Sequence, residues 1–177
     1  MKTYLVYGVI NAIAAALFNL VLYLTGYQSD KLSTGQYLGY IGMVIFFVVL
    51  FLGMREAREA KPDKAITYGG ALGAAVMIAL FSGLFGAVFT YIHFSFINPD
   101  YPQYIADLTR QKLEAKGLPE AQIDGAIKMS SLFLKPVAMA IFGIIVSVFM
   151  GTIGGLILAI FVKREPAPLT DEPPVAA

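Results

Sequence analysis

Long apolar runs alternate with shorter polar segments along this chain, and the length of each run decides the element it predicts. No residue between Lys2 and Asp30 is charged, and Tyr4–Thr25, at a rise of about 1.5 Å per residue, covers a hydrocarbon core of about 30 Å. The run continues to Leu24, well past the small-x-small triplet Ala12-Ile13-Ala14, which favours a retained span over a cleaved signal peptide. Tyr37–Met54 predicts a second span, extended into water by the helix formers Arg55–Ala60 and stopped by Lys61-Pro62-Asp63. Ala65–Ile97 carries no formal charge apart from any on His93 and is longer than one crossing requires. With Gly69, Gly70 and Gly73 near its start, Ile66–Gly73 reads as a looser interfacial entry to the third span, and Asn98-Pro99-Asp100 as the turn that ends it. Pro136–Val162 is the fourth run and closes on Lys163-Arg164.

The remaining segments are polar. In Tyr101–Lys135, Tyr104, Ile105 and Leu108 recur at helical spacing, Gly117 supplies a stop, and Pro119-Glu120 starts a second helix bearing Ile123, Ala126, Ile127 and Ser130. The fold expected is therefore an all-α integral membrane protein with four transmembrane helices and an extracytoplasmic helical hairpin between spans three and four. The transmembrane domain covers residues 1–164, the hairpin residues 98–135 within it. Residues 165–177, with Pro166, Pro168, Pro173 and Pro174 and few large apolar side chains, predict a disordered cytoplasmic tail.

Composition agrees with lipid as the solvent: 58% of residues are hydrophobic and 14% charged, against about 45–50% and about 25% in soluble domains. Basic residues near span ends set the orientation. Arg55, Arg58, Lys61 and Lys64 lie between spans two and three, and Lys2, Lys163 and Arg164 flank the termini, whereas only Lys31 and Lys135 lie near span ends on the opposite side. Both termini are expected in the cytoplasm. Tyrosines near the span ends, with none at a span centre, form the belt expected at the headgroups.

Charge and residue inventory also narrow the chemistry. With a net charge of +1 and basic residues spread among the loops, no nucleic-acid partner is expected. The chain has no cysteine and a single histidine, so no metal site or cofactor is expected. Its hydroxyls lack an activating base, and no carboxylate pair lies in the bilayer; the chain is read as a non-enzyme. Asn11 and Asn19 share one face of the first span and, with His93, are the candidates for a polar path. Interhelical hydrogen bonding is the favoured reading of the two amides, because no ionisable group accompanies them at mid-membrane. His93 lies about one turn from Ile97 and is expected to reach water or headgroups.

The strongest pattern is steric. Ala71, Ala75, Ala79, Gly83 and Ala87 form a ridge of small residues on the third span, and Gly143, Ser147, Gly151, Gly155 and Ala159 form another on the fourth. Both repeat every four residues, which predicts that spans three and four pack along these ridges.

The order of features, with the run Thr90–Asp100 (TYIHFSFINPD), the early Gly-Tyr pairs, the Ile66-Thr67-Tyr68-Gly69 entry and the stretch Glu114–Ile123, resembles the bacterial membrane-protein family called domain of unknown function 4199. The resemblance spans nearly the whole chain. It implies a four-span bacterial inner-membrane protein with an outward hairpin, and it brings no activity and no catalytic residue. The function expected is a non-enzymatic role, as accessory subunit or assembly factor, acting through helix packing and the hairpin. The alternative is a small transporter or channel subunit using the face of Asn11 and Asn19; a lipid-modifying enzyme ranks third. Expected partners are membrane lipid and either another membrane protein or a second copy of the chain.

Overall fold

Each apolar run forms one continuous helix, because in lipid every backbone N–H and C=O must find its partner within the segment. The computed structural model describes residues 1–165, so the expectation of a disordered tail falls, but for Glu165, outside the described residues. Helix α1 runs Lys2–Leu24, α2 Leu32–Glu59, α3 Tyr68–Ile92 with a π-helical turn at His93–Ile97, and α6 Pro136–Val162. All four are long and apolar enough to cross a membrane, and the protein is multi-pass. Between α3 and α6 stand α4 (Tyr101–Glu114) and α5 (Glu120–Phe133), packed on each other as a hairpin. This end of the bundle is the hairpin side; the N-terminus, the α2–α3 loop and the end of α6 share the other, the termini side.

Two glycines close helices in the left-handed region. Gly26 (φ 79°) follows α1, where the Tyr27 amide donates to the Leu22 carbonyl and the Gly26 amide to Tyr23. Gly117 (φ 71°) does the same after α4, with Leu118 donating to Leu113 and Gly117 to Glu114. Each pair satisfies carbonyls that the helix end would otherwise leave open. Across the hairpin Arg110 bonds Glu120 and, at 2.7 Å, Asp124, while Ile123 is buried and Ile105, Leu108 and Ile127 are partly buried. The two carboxylates hold the Arg110 guanidinium above its ordinary pKa.

The entry to α3 is tighter than its glycines suggest. Thr67 caps the helix by accepting from the Gly70 amide at 3.2 Å, and Gly69, Gly70 and Gly73 lie within regular helix. Ile66 is buried and exchanges two backbone hydrogen bonds of 2.9 Å with Arg164. A tertiary pairing therefore fixes a segment that local propensity would leave loose.

The most extensive helix contact is α3 with α6, followed by α3 with α1; α2 closes the bundle against the other three. The packed core lies toward the termini side, where Leu50, Met54, Ile66, Ala75, Ile78 and Val162 form one cluster. Arg58 donates to the Val162 carbonyl at 3.1 Å and pairs with Glu59, so a cation sits at the C-terminus of α6 where the helix dipole favours it. Tyr68 donates its hydroxyl to the Leu156 carbonyl at 2.9 Å, tying the start of α3 to the end of α6.

Candidate functional site

Toward the hairpin side the packing becomes polar. Gln28, in the α1–α2 turn, is 6% exposed and stands at the centre of three buried or partly buried groups, the amides of Asn19 and Asn98 and the imidazole of His93. Its Nε2 donates to the backbone carbonyl of Asn19 at 3.2 Å and to the Asn19 side-chain oxygen at 3.1 Å. Its Oε1 accepts from Asn98 Nδ2 at 3.2 Å and lies 2.8 Å from His93 Nε2. Asn19 Nδ2 donates in turn to the Ala15 carbonyl at 3.0 Å.

This chain of bonds fixes the tautomer. A backbone carbonyl can only accept, so the end of Gln28 facing Asn19 must be the NH₂, and the end facing His93 must be the oxygen. His93 therefore carries its proton on Nε2 and donates it to Gln28. Its Nδ1 is left as a buried acceptor without a protein partner among the described residues. The ring is held by aromatic contacts: it stacks on Phe89 at 5.3 Å and meets Tyr23 and Phe94 edge-on at 5.7 and 4.8 Å.

The π-helical turn produces this placement. Its closing bond, from the Asn98 amide to the His93 carbonyl at 2.7 Å, inserts an extra residue into the helical ladder and brings Asn98 beside Gln28. Helix α4 flanks the cluster: Tyr101 packs on Phe94 at 4.7 Å, and Lys112 donates to Gln36 at the start of α2 at 2.8 Å. Burial pushes the Tyr101 phenol above its ordinary pKa. Asn19, Gln28, Gln36 and Tyr101 line a cavity of about 250 Å³ with apolar residues of α4.

The expectation that His93 reaches water or headgroups is wrong: its relative exposure is 0%. Distance from the span end does not determine exposure when a turn and a neighbouring loop fold over the ring. Of the three candidates for a polar path, Asn19 and His93 are joined through Gln28, whereas Asn11 stands apart. Asn11 is buried between helices and donates to the Phe46 carbonyl of α2 at 3.4 Å. Gln28 is the residue that sequence reasoning passed over. Its only signal is an uncharged amide within a helix turn of an apolar span, which looks like any solvated loop residue.

The two small-residue ridges face each other over part of their length. A Cβ on Gly151 would collide with the Ala79 Cβ, and one on Gly155 would stand 2.7 Å from the Ala75 Cβ. Ala71, Ala75, Ala79, Gly83, Gly151, Gly155 and Ala159 are buried, and Ser147 donates to the Ala79 carbonyl across the interface at 2.8 Å. Toward the hairpin side the ridges part: Ala87 is half-buried, Gly143 is exposed, and a Cβ on Gly143 would meet nothing within 4 Å. These two ends of the ridges do not pack on one another, because helices crossing at an angle approach closely over only a few turns.

Known proteins place the chain without assigning it an activity. Neither a curated protein nor a solved structure matches it. A family described as "Protein of unknown function (DUF4199)" matches residues 6–164, nearly the whole chain, and the protein belongs to that family.

Proposed function

We propose that this is a non-enzymatic bacterial inner-membrane protein with both termini in the cytoplasm, serving as an accessory subunit or assembly factor through helix packing and its outer hairpin. One observation carries the reading: the amides of Asn11, Asn19 and Gln28 donate to acceptors within the protein, so these groups stiffen the bundle rather than line a path for a polar solute. A buried polar network connected in this way through Gln28 rigidifies the elements it joins. Here it joins α1, the α1–α2 turn and the end of α3, beside α4, and supports a hairpin presented in a fixed orientation. The transporter reading has less support, since solute paths through a membrane are marked by ionisable side chains and no span carries one at its centre.

A photo-crosslinking residue at Gln122 or Lys116 of the hairpin tests this in cells. The expected result is a discrete protein adduct, absent when the same group stands at Val44, which is 59% exposed on α2. No adduct from either hairpin position, together with solute flux in proteoliposomes of the purified chain, would favour the transporter reading. Orientation is tested by single cysteines, which the cysteine-free parent permits. An impermeant reagent should label a cysteine near Gly117 in intact cells and leave one near Pro62 untouched; the reverse pattern would invert the topology.

A further inference from the structure

On the hairpin side of the packed core all four long helices draw apart around a cavity of about 400 Å³, within the range of ligand pockets. Its walls are apolar and uncharged: Ala15 of α1, Met43 and Phe46 of α2, Gly86 of α3, and Gly143 and Met150 of α6 contribute. The cavity is open, since Met43 and Val146 line it and are 38% and 42% exposed, which places the mouth between α2 and α6. These two helices close on each other only further toward the termini side, where Phe47 packs against Gly154.

Depth decides what can enter. Ser82 lies at the middle of the 30-residue span Tyr68–Ile97, so at the bilayer centre. Thr90 follows eight residues later, about 12 Å along the helix, in a leaflet whose hydrocarbon is about 15 Å deep. The cavity therefore runs from the midplane nearly to the ester level of the leaflet on the hairpin side. At each end it has a hydroxyl, Ser82 and Thr90, that makes no side-chain hydrogen bond among the described residues, whereas Ser147 and Thr152 bond backbone carbonyls. Water has no place in an uncharged pocket that opens into hydrocarbon.

The geometry points to a binding site for one acyl chain of a phospholipid from the hairpin-side leaflet, entering between α2 and α6, with the Thr90 hydroxyl donating to its ester carbonyl. The chain fills the cleft that the diverging ridges leave. A free fatty acid matches less well, because no cation lines the cavity to pair with its carboxylate.

The full-length protein in vesicles of phosphatidylethanolamine and phosphatidylglycerol, with a trace of phosphatidylglycerol carrying a mid-chain diazirine, provides the test. After illumination, adducts mapped by mass spectrometry should concentrate on Met43, Phe46 and Met150 rather than on lipid-facing Val44, Ile145 and Phe149. Gly86→Leu with Gly143→Leu fills the cavity from positions where an added Cβ meets nothing within 4 Å. It should lower cavity labelling to the level of the lipid-facing residues; Ala15→Leu serves if the double variant does not fold. Thr90→Val should reduce cavity labelling about 2- to 10-fold, the range one hydrogen bond is worth. Uniform labelling of all apolar surfaces, or cavity labelling unchanged by the filling variants, would overturn the site. Stronger labelling by the free diazirine fatty acid would overturn the phospholipid assignment, and no change in Thr90→Val would overturn the ester contact.

Discussion

Replacing Gln28 by leucine should destabilise the protein more than any other single change outside the packed helix interfaces. The side chain is a shared node: removing it leaves the His93 Nε2–H, the Asn98 amide and the Asn19 side-chain oxygen without their partner. A buried group left unpaired costs about 1–3 kcal/mol in soluble proteins, and interhelical bonds in membranes average about 0.6 kcal/mol, so three of them give roughly 2–5 kcal/mol. At about 2–4 °C per kcal/mol for a chain of this size, thermal unfolding in mild detergent should fall by about 4–20 °C. Gln36→Leu is the control, because Gln36 is exposed and its bonds to Ser33 and Lys112 lie at the surface. His93→Phe combined with Gln28→Leu should cost less than the sum of the two, as expected for partners in one network. Equal and small effects of Gln28→Leu and Gln36→Leu, read by circular dichroism melting, would show that the cluster contributes nothing.

Gly151→Leu should be the other severe change. Apolar surface alone gives membrane helices little reason to associate, because lipid tails are as apolar as leucine; close backbone approach supplies dispersion contacts instead. At Gly151 even a Cβ collides with Ala79, so leucine must push α3 and α6 apart along their main contact. Overpacking of this kind costs about 1–3 kcal/mol and more where backbone must move, against a gain of under about 1 kcal/mol from better helix propensity. Gly83→Leu should behave similarly, since its Cβ would stand 3.0 Å from the Ile144 Cα and 3.2 Å from the Ser147 Cβ. Gly143→Leu, on the same ridge as Gly151, should leave the melting temperature within about 2 °C of the parent, the span of a change under about 0.5 kcal/mol. Leu17→Ile, at a position 59% exposed to lipid, should matter as little.

How much of this was readable beforehand depended on the range over which each signal acts. Span number and the hairpin break at Gly117 follow from run length and a local stop, both properties of consecutive residues. The ridge residues also announced which faces of α3 and α6 meet. A four-residue repeat identifies a face and says nothing of the angle between axes, so the parting at Ala87 and Gly143 was invisible. His93 failed for the same reason in reverse. Its burial depends on Gln28, 65 residues away, and on a π-helical turn that no composition rule marks. Ile66 likewise reads as interfacial by its glycine neighbours, and only its pairing with Arg164 fixes it.

Helices α3 and α6 meet within one chain toward the termini side and part toward the hairpin side. Paired cysteines test this most directly, because the parent has none. Ala75→Cys with Gly155→Cys places two Cβ atoms 2.7 Å apart, within small backbone shifts of the about 3.5–4.5 Å that a disulfide requires. Ala87→Cys with Gly143→Cys joins the parted ends of the ridges, where a Cβ on Gly143 has no heavy atom within 4 Å, the Ala87 Cβ included. Under mild oxidation in the membrane the first pair should form an intrachain disulfide readily and the second should remain reduced. Equal oxidation of both pairs, or bonds from the first pair only between two chains, would contradict the account.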